Sequence, residues 1–306
     1  AVYEYSFAPN MNTQSVVIVR NGVIVSERYY GNLTPDTPVT SWSMAKSYLS
    51  ALIGIAIEEG LISSVDEKVS TFVPQWKDGP NQDITLRALL EMRSGLGPHP
   101  DPDGLYANAH QLEMSLDREK VREPHTQWQY VNEDSMVMSL VLQTATGKPV
   151  DEYAKEKIFD PIEMSVANWW KDEDGYVLTY CCLDSTTRDF ARFGLLYLRN
   201  GQWKDEQLVP QDWVEESTEP LPGVGYYAMH WWTTKIHGHH VYFAYGYHEQ
   251  KIYVIPDLNI VAVRNGTFWR SGEGFVRTGN AFQYTLPPAS WDDTNFLDRV
   301  VTAVVD

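Results

Sequence analysis

The dipeptide Asn21-Gly22 constrains the fold of this chain more than any other short feature. It lies between two β-rich runs, residues 15–20 and 23–28. Asn-Gly between such runs is the strongest short signal for a tight hairpin, because both residues tolerate the positive φ angles of that turn. The chain is therefore predicted to open with two antiparallel strands.

A long helix is predicted to follow the hairpin. Residues 43–59 carry apolar side chains at helical spacing, and Gly60 stands where helices commonly end. Ser43 and Lys46 are then one turn apart on the same face. The N–H groups at the start of this helix would stabilise an oxyanion and depress the pKa of Lys46.

The Ser43–Lys46 pair indicates a nucleophile and its base. A serine hydroxyl attacks well only when a neighbouring group takes its proton, and a lysine can do so once burial or positive charge lowers its pKa. This is serine hydrolase chemistry without a catalytic histidine. One Ser-x-x-Lys tetrapeptide is weak evidence by itself, so the rest of the chain must support it.

Elements from both ends of the chain are predicted to form one sheet. Helical segments broken by loops occupy the middle, and three short strand-like runs and a helix follow near the end. The predicted fold class is α+β, with an antiparallel sheet of five or more strands built from both termini, flanked by helices. Residues 1–61 and 186–306 are expected to form one lobe, which contains this sheet. Residues 62–185 are expected to form a second, mainly helical lobe inserted into the first. A cleft is expected between the two lobes, next to Ser43. The predicted helices are 85–92, 133–146, 150–158, 186–200 and 292–305, and the late strands 241–247, 250–255 and 260–264.

Composition narrows the classes of partner. The 306 residues include 24 Lys and Arg against 41 Asp and Glu, a net charge of −17, which repels phosphate backbones and anionic lipid. Nucleic acid is therefore not an expected partner. The apolar run 51–57 is too short to cross a bilayer, so no membrane insertion is expected. The chain begins at Ala1 and not at a Met, so an export signal or an upstream segment could have been removed, and the sequence does not decide between these alternatives.

Several ordered segments resemble one superfamily. They are Ser43-Met44-Ala45-Lys46-Ser47, the run 84–96, Trp128-Gln129-Tyr130-Val131-Asn132 and the run 187–194. Together they are similar to the serine β-lactamase and penicillin-binding protein superfamily, in its class C β-lactamase-like branch. That branch includes family VIII carboxylesterases, 6-aminohexanoate-dimer hydrolases and D-aminopeptidases. The resemblance implies a β-lactamase/transpeptidase-like fold, a periplasmic or secreted location with cytoplasmic members also known, and no cofactor or metal.

The branch's second motif is Tyr-x-Asn, and order and context select one of three matches. The tripeptide at 30–32 precedes the serine and suits a turn, and the one at 106–108 lies in a polar loop, where Tyr106 is a candidate substrate contact. The third precedes an amphipathic helix. The resemblance makes Tyr130 the general acid/base beside Lys46, whose positive charge would lower the phenol pKa. Asn132 would hold Lys46 or a substrate carbonyl, and helix capping is its alternative.

The third motif aligns with Ala244-Tyr245-Gly246, on the first late strand. Many relatives place Lys or His where this chain has Ala244, so the usual partner of a substrate carboxylate is missing. Gly246 permits close backbone approach, and the resemblance implies that the N–H of Tyr247 joins that of Ser43 in an oxyanion hole. Tyr245 is a candidate substrate contact, with ordinary strand packing as the alternative.

The remaining histidines, tryptophans and cysteines have competing interpretations. His248 is a candidate substrate contact in a short turn, where a surface histidine is the more common case. His237, His239 and His240 lie in an expected hairpin turn without an evident carboxylate partner, so no metal site is predicted. The pairs at 169–170 and 231–232 are tryptophans that suit either the core or a pocket for an apolar acyl group. Cys181 and Cys182 are adjacent, which is poor disulfide geometry, and are predicted to be buried thiols.

The sequence predicts a serine hydrolase that cleaves an ester or a small linear amide through an acyl-enzyme on Ser43. Lys46 and Tyr130 would move the protons. A β-lactamase or D-amino acid peptidase or amidase is the alternative activity, and a penicillin-binding-like ligand binder without turnover is the alternative class.

Overall fold

A computed structural model describes residues 1–99, 104–267, 277–278, 281–282 and 289–304. The strands are β1 Thr13–Arg20, β2 Val23–Tyr29, β3 Pro38–Thr40, β4 Asn168–Trp169, β5 Leu183–Thr186, β6 Gln202–Trp203, β7 Glu206–Gln207, β8 Trp232–Ile236, β9 His239–Gly246, β10 Gln250–Ile255, β11 Ile260–Gly266, β12 Arg277–Thr278 and β13 Ala281–Phe282. The α-helices are α1 Val2–Ser6, α2 Ala45–Glu58, α3 Leu86–Leu90, α4 Gly104–Ala107, α5 Gln111–Leu116, α6 Asn132–Thr146, α7 Val150–Ala154, α8 Thr187–Leu198, α9 Gln211–Thr218 and α10 Asp293–Thr302. Three-residue 3-10 turns begin at Trp42, Val69, Pro74, Tyr247 and Pro256, and a π-helical turn, Lys155–Phe159, extends α7.

The main sheet is antiparallel and joins the two ends of the chain. Its strand order is β2-β1-β11-β10-β9-β8, and β1 pairs with both β2 and β11. The predicted hairpin is confirmed, with φ of 51° at Asn21 and 80° at Gly22. The predicted antiparallel sheet of five or more strands from both termini is also confirmed. The sixth strand, β8, was not among the predicted strand runs, but its hairpin with β9 around His237 and Gly238 lies where a hairpin turn was expected.

The two faces of the sheet are covered by different helices. One face packs with α2 and α8 in the main core, and α8 lies so close that a Cβ on Gly194 would come within 2.5 Å of Val261. The other face carries a smaller core with α10, in which Phe243 packs on Tyr253 and Tyr253 packs on Phe296. None of the helices in the described part of the chain combines the length and apolar character that a bilayer crossing needs.

The end of β9 meets the turn that precedes α2. A Cβ added to Gly246 would lie 2.2 Å from the carbonyl oxygen of Ser41 and 3.0 Å from Cβ of Trp42. Only a residue without a side chain allows this contact. The edge of the sheet and the start of α2 are thereby held together, and Ser43 lies at this junction.

Candidate active site

Ser43 lies in a 3-10 turn, Trp42–Met44, that leads into α2. Its Oγ is 3.1 Å from Nζ of Lys46, in the first turn of the helix, so the two side chains share a face as the spacing predicts. Trp42 has a φ of 47°, in the left-handed region that residues with side chains rarely adopt. Its buried ring packs edge-on against Tyr106 and Tyr247. This packing holds the turn that presents Ser43.

The amine of Lys46 is buried among acceptors. Its side chain is 2% exposed, and Nζ donates to Asn132 Oδ1 at 2.8 Å and to the carbonyl oxygen of Tyr180 at 2.9 Å. Burial lowers the pKa of Lys46 well below its usual value, against a smaller opposing effect of the Glu133 carboxylate. A neutral amine at this place can give its two N–H groups to these acceptors and direct its lone pair at Ser43 Oγ.

Tyr130 lies beside the same pair. Its ring centroid is 4.8 Å from Lys46 Nζ, and its hydroxyl shares a hydrogen bond with Ser43. Burial raises the pKa of Tyr130 far more than the bond with Ser43 lowers it. The expected lowering by an ammonium is therefore wrong: desolvation decides the direction, and Tyr130 is a neutral phenol able to donate a proton.

Asn132 connects Lys46 to the loop-rich part of the chain. The helix α6 has Val131 as its N-cap without a side-chain cap, so the capping interpretation of Asn132 is wrong. The side-chain oxygen of Asn132 accepts from Lys46, and its Nδ2 donates to the hydroxyl of Tyr106 at 3.2 Å. Tyr106, on the short helix α4, is thus brought into the site from a distant part of the sequence.

The strand β9 places its third-motif residues on opposite faces. Ala244 is fully buried in the main core, and supplies no cation at the site. Tyr245 packs on the face that carries α10, donates its hydroxyl to Glu249 at 2.9 Å, and has the Lys251 ammonium 3.4 Å from its ring centroid. These contacts favour the packing interpretation of Tyr245, although its ring also meets that of Trp232.

The turn after Gly246 differs from the expected surface turn. Tyr247 is 48% exposed, but His248 is only 4% exposed and packs on Trp42 and Tyr247. Burial, and then the Arg264 guanidinium, lower the pKa of His248 to about 4. The expectation of a surface histidine is wrong, because the turn folds inward: Nη1 of Arg264 donates to the carbonyl oxygen of His248 at 2.7 Å.

Replacing Gly246 with alanine is expected to lower kcat about 10²-fold, the scale of losing one oxyanion-hole donor, which is the role that the resemblance implies for the N–H of Tyr247. The new Cβ would meet the Ser41 carbonyl, a backbone atom that cannot rotate away, so β9 must withdraw from Ser43. Steady-state kinetics measure the loss, and Gly79→Ala, where nothing lies within 4 Å, is the matched control. Wild-type kcat in Gly246→Ala would contradict the close approach.

Two other interpretations from the sequence need correction. Cys181 and Cys182 are buried, but they form a disulfide rather than two thiols. His237 and His239 do have carboxylate partners, Asp298 at 2.8 Å and Asp257 at 3.3 Å. The described residues nevertheless contain no group of three or more His, Cys, Asp or Glu side chains placed to hold a metal ion.

The tryptophan pairs divide between core and site. Three of the four side chains are buried and belong to the core: Trp169, Trp170 and Trp231. Only Trp232 is partly exposed, and its ring lies 5.8 Å from that of Tyr130.

Sequence reasoning missed two contributors to the site. The Tyr180 carbonyl was missed because a backbone oxygen leaves no residue signature. His230 is buried, with its ring nitrogens 3.2 Å from Ser135 Oγ and 3.3 Å from Tyr227 Oη, and its carbonyl accepts from Ser47 at 2.7 Å. It ties α2 to α6, the helices that carry Lys46 and Asn132. The position of His230 in the Trp-rich run 228–232 did not indicate that it would connect these two helices.

Most of the chain matches a protein family. A family model described as Beta-lactamase covers residues 8–278, which is most of the sequence. The chain therefore belongs to the beta-lactamase family. The ordered motifs around Ser43 and Tyr130 predicted this membership, which is confirmed.

Curated relatives match part of their own length. The chain is 30% identical over 166 residues to a putative penicillin-binding protein PbpX of Bacillus subtilis (strain 168), covering 51% of this chain and 41% of that protein. It is 25% identical over 171 residues to a D-aminopeptidase of Brucella canis, covering 50% of this chain and 32% of that protein. The aligned region thus spans less than half the length of these two relatives.

Solved structures share the fold. A putative 6-aminohexanoate-dimer hydrolase from Bacillus anthracis superposes with a TM-score of 0.77 at 23% identity, over 86% of this chain and 75% of that chain. A D-stereospecific amidohydrolase from Streptomyces superposes with a TM-score of 0.70 at 16% identity, over 87% of this chain and 92% of that chain. The mixed α/β architecture is therefore that of beta-lactamase and penicillin-binding-like proteins.

Proposed function

We propose that this protein is a serine hydrolase that cleaves an ester or a small linear amide through an acyl-enzyme on Ser43. The observation that carries the proposal is the 3.1 Å contact of Lys46 Nζ with Ser43 Oγ. The same amine also donates hydrogen bonds to Asn132 Oδ1 and to the carbonyl oxygen of Tyr180. A buried amine arranged in this way suits a general base, because burial lowers the lysine pKa.

The reaction has two halves. Lys46 takes the proton of Ser43 as Oγ attacks the carbonyl carbon, and the N–H groups of Ser43 and Tyr247 hold the oxyanion. The C–O or C–N bond to the leaving group then breaks, and the leaving group takes a proton that Tyr130 donates and recovers from Lys46. Water attacks the acyl-enzyme by the same route in reverse, and releases the acid and free Ser43.

Substrate preference follows from the missing cation. Ala244 is buried and apolar, so the strand beside the site provides no partner for a substrate carboxylate. This favours esters and small linear amides over β-lactams and peptidoglycan. The half-buried rings of Tyr130 and Trp232 favour an apolar group next to the scissile bond. The likeness to a D-aminopeptidase and to a D-stereospecific amidohydrolase supports the inclusion of amides.

Labelling with a serine-reactive phosphonate tests this proposal directly. We expect one covalent adduct, mapped to Ser43 by peptide mass spectrometry. No adduct on Ser43 would favour a ligand binder without turnover. A panel of p-nitrophenyl esters, D-amino acid amides and a chromogenic cephalosporin then ranks the substrates, and cephalosporin turnover as fast as ester turnover would reverse the stated preference.

Replacing Tyr130 with phenylalanine is expected to lower kcat on an amide about 10²-fold, the low end of general acid–base effects. The loss should be much smaller on a p-nitrophenyl ester, whose leaving group departs without a proton. The control is Tyr226→Phe, since Tyr226 is 47% exposed and packs on the same Trp232. An equal loss of kcat on the amide and on the ester would show that Tyr130 is not the general acid.

A further inference from the structure

The disulfide between Cys181 and Cys182 lies in a segment whose two flanking residues hydrogen-bond to Lys46 and to Ser41. Both cysteines are fully buried. The preceding residue, Tyr180, gives its carbonyl oxygen to Lys46 Nζ at 2.9 Å. The following residue, Leu183, exchanges two hydrogen bonds with Ser41, whose N donates at 2.8 Å and whose Oγ accepts from Leu183 N at 2.9 Å.

The carbonyl groups of the disulfide itself fix this segment to the core. The Cys181 oxygen accepts from the indole of Trp169 at 3.0 Å, and the Cys182 oxygen accepts from the backbone N of Trp170 at 3.1 Å. The carbonyl oxygens of four consecutive residues, 180–183, therefore all accept hydrogen bonds, and two of the donors are Lys46 and Ser41.

The ring closed by the disulfide restricts the backbone at the point where these carbonyl groups change direction. Cys182 has a φ of 70°, in the left-handed region that a residue with a side chain rarely adopts without support. With the disulfide open, only the hydrogen bonds of this segment oppose a rotation of Cys182 back to negative φ. That rotation would turn the adjoining peptide planes and move the oxygen of Tyr180 relative to Lys46.

We propose that the Cys181–Cys182 disulfide is a positioning element of the active site, which holds the Tyr180 carbonyl on Lys46 and the Leu183 backbone on Ser41. The proposal rests on the proposed function, because it gives the disulfide a role through Lys46 and Ser43. The disulfide touches no substrate. It acts by keeping the amine of Lys46 aimed at Ser43 Oγ.

The test compares wild type with the double variant Cys181→Ala/Cys182→Ala. We expect kcat to fall about tenfold while KM changes less than twofold, since the substrate-contacting side chains stay in place. The acidic limb of the pH–kcat profile should move to higher pH, because a loosened segment exposes Lys46 and raises its pKa. The control Ser185→Ala, in β5, loses a buried hydrogen bond to Asp189 and a partly buried one to the carbonyl oxygen of Ser165, and should keep both kcat and the profile.

Wild-type kcat and an unshifted pH profile in the double variant would overturn the proposal while hydrolysis still required Ser43. Activity independent of Ser43 would instead overturn the proposed function. Should the double variant not fold, wild type is reduced with a small dithiol, which gives the disulfide two electrons and two protons and is itself oxidised to a cyclic disulfide. If thiol titration shows that the disulfide is reduced while kcat stays constant, the proposal is overturned. If kcat falls on reduction and recovers on reoxidation, the proposal is supported.

Discussion

Replacing Ser43 with alanine is expected to lower kcat by about 10⁴-fold or more, the largest effect of any single change in this chain. Removal of a nucleophile leaves only the contributions of binding and of the oxyanion donors. The alanine also removes the hydroxyl that bonds Tyr130 and lies 3.1 Å from Lys46. Hydrolysis of the best ester and amide from the substrate panel measures the loss, with product detected at high enzyme concentration.

The matched control for this change is Ser50→Ala. Ser50 lies about two turns further along α2 and is fully buried, whereas the amine of Lys46 bonds to Ser43, Asn132 and Tyr180. Its replacement should leave kcat within about twofold of wild type. A second readout is the phosphonate adduct, which Ser43→Ala must lose and Ser50→Ala must keep. Full activity of Ser43→Ala on both substrate types would remove Ser43 as the nucleophile.

Local sequence signals were sufficient where neighbouring residues determine the structure. Asn21-Gly22 specifies its hairpin because both residues adopt positive φ. The helix from Ser43 ends before Gly60, which has a φ of 70°. Helical spacing placed Ser43 and Lys46 together, and the order of motifs placed Tyr130 and Asn132 beside them.

Long-range packing decided what these signals missed. His248 is buried because Arg264, from a different strand, donates to the carbonyl oxygens of His248 and Glu249 at 2.7 and 3.0 Å. Both of those residues have positive φ, 57° and 63°, which neither residue type favours by itself. The inward fold of this turn therefore depends on a contact 15 or more residues away in sequence. No local pattern records such a contact.

The pKa of Tyr130 shows the same limit in the chemistry of the site. A lysine next to a tyrosine suggests a lowered phenol pKa, provided that the lysine is charged. Burial lowers the pKa of Lys46 itself, which disfavours the ammonium form on which that argument depends. Burial also raises the pKa of Tyr130. Neighbouring residue types predicted the pair, but the degree of burial determines which member takes a proton and which gives one.

Lys46 offers the second large effect. Replacement with methionine, of similar length and apolar, is expected to lower kcat about 10³-fold, within the range of general acid–base catalysis. Replacement with arginine keeps a cation and N–H donors for Asn132 and Tyr180, but a guanidinium is not deprotonated in proteins. Both variants should therefore be similarly inactive if Lys46 acts as a base. Substantial activity in Lys46→Arg, with none in Lys46→Met, would assign Lys46 an electrostatic role instead.

The pH dependence of kcat in the wild-type protein gives a further test of Lys46 as the base. The base must be neutral, and burial lowers the pKa of Lys46 well below 10.5. Activity should be full above that lowered pKa and lost as the pH falls through it, giving a limb that rises with pH and lies below the ordinary range of lysine. Glu133→Gln removes the nearby carboxylate that raises the Lys46 pKa, so it should move this limb to lower pH. The opposite shift, or a limb near 10.5, would mean that the group titrating in kcat is not the buried amine of Lys46.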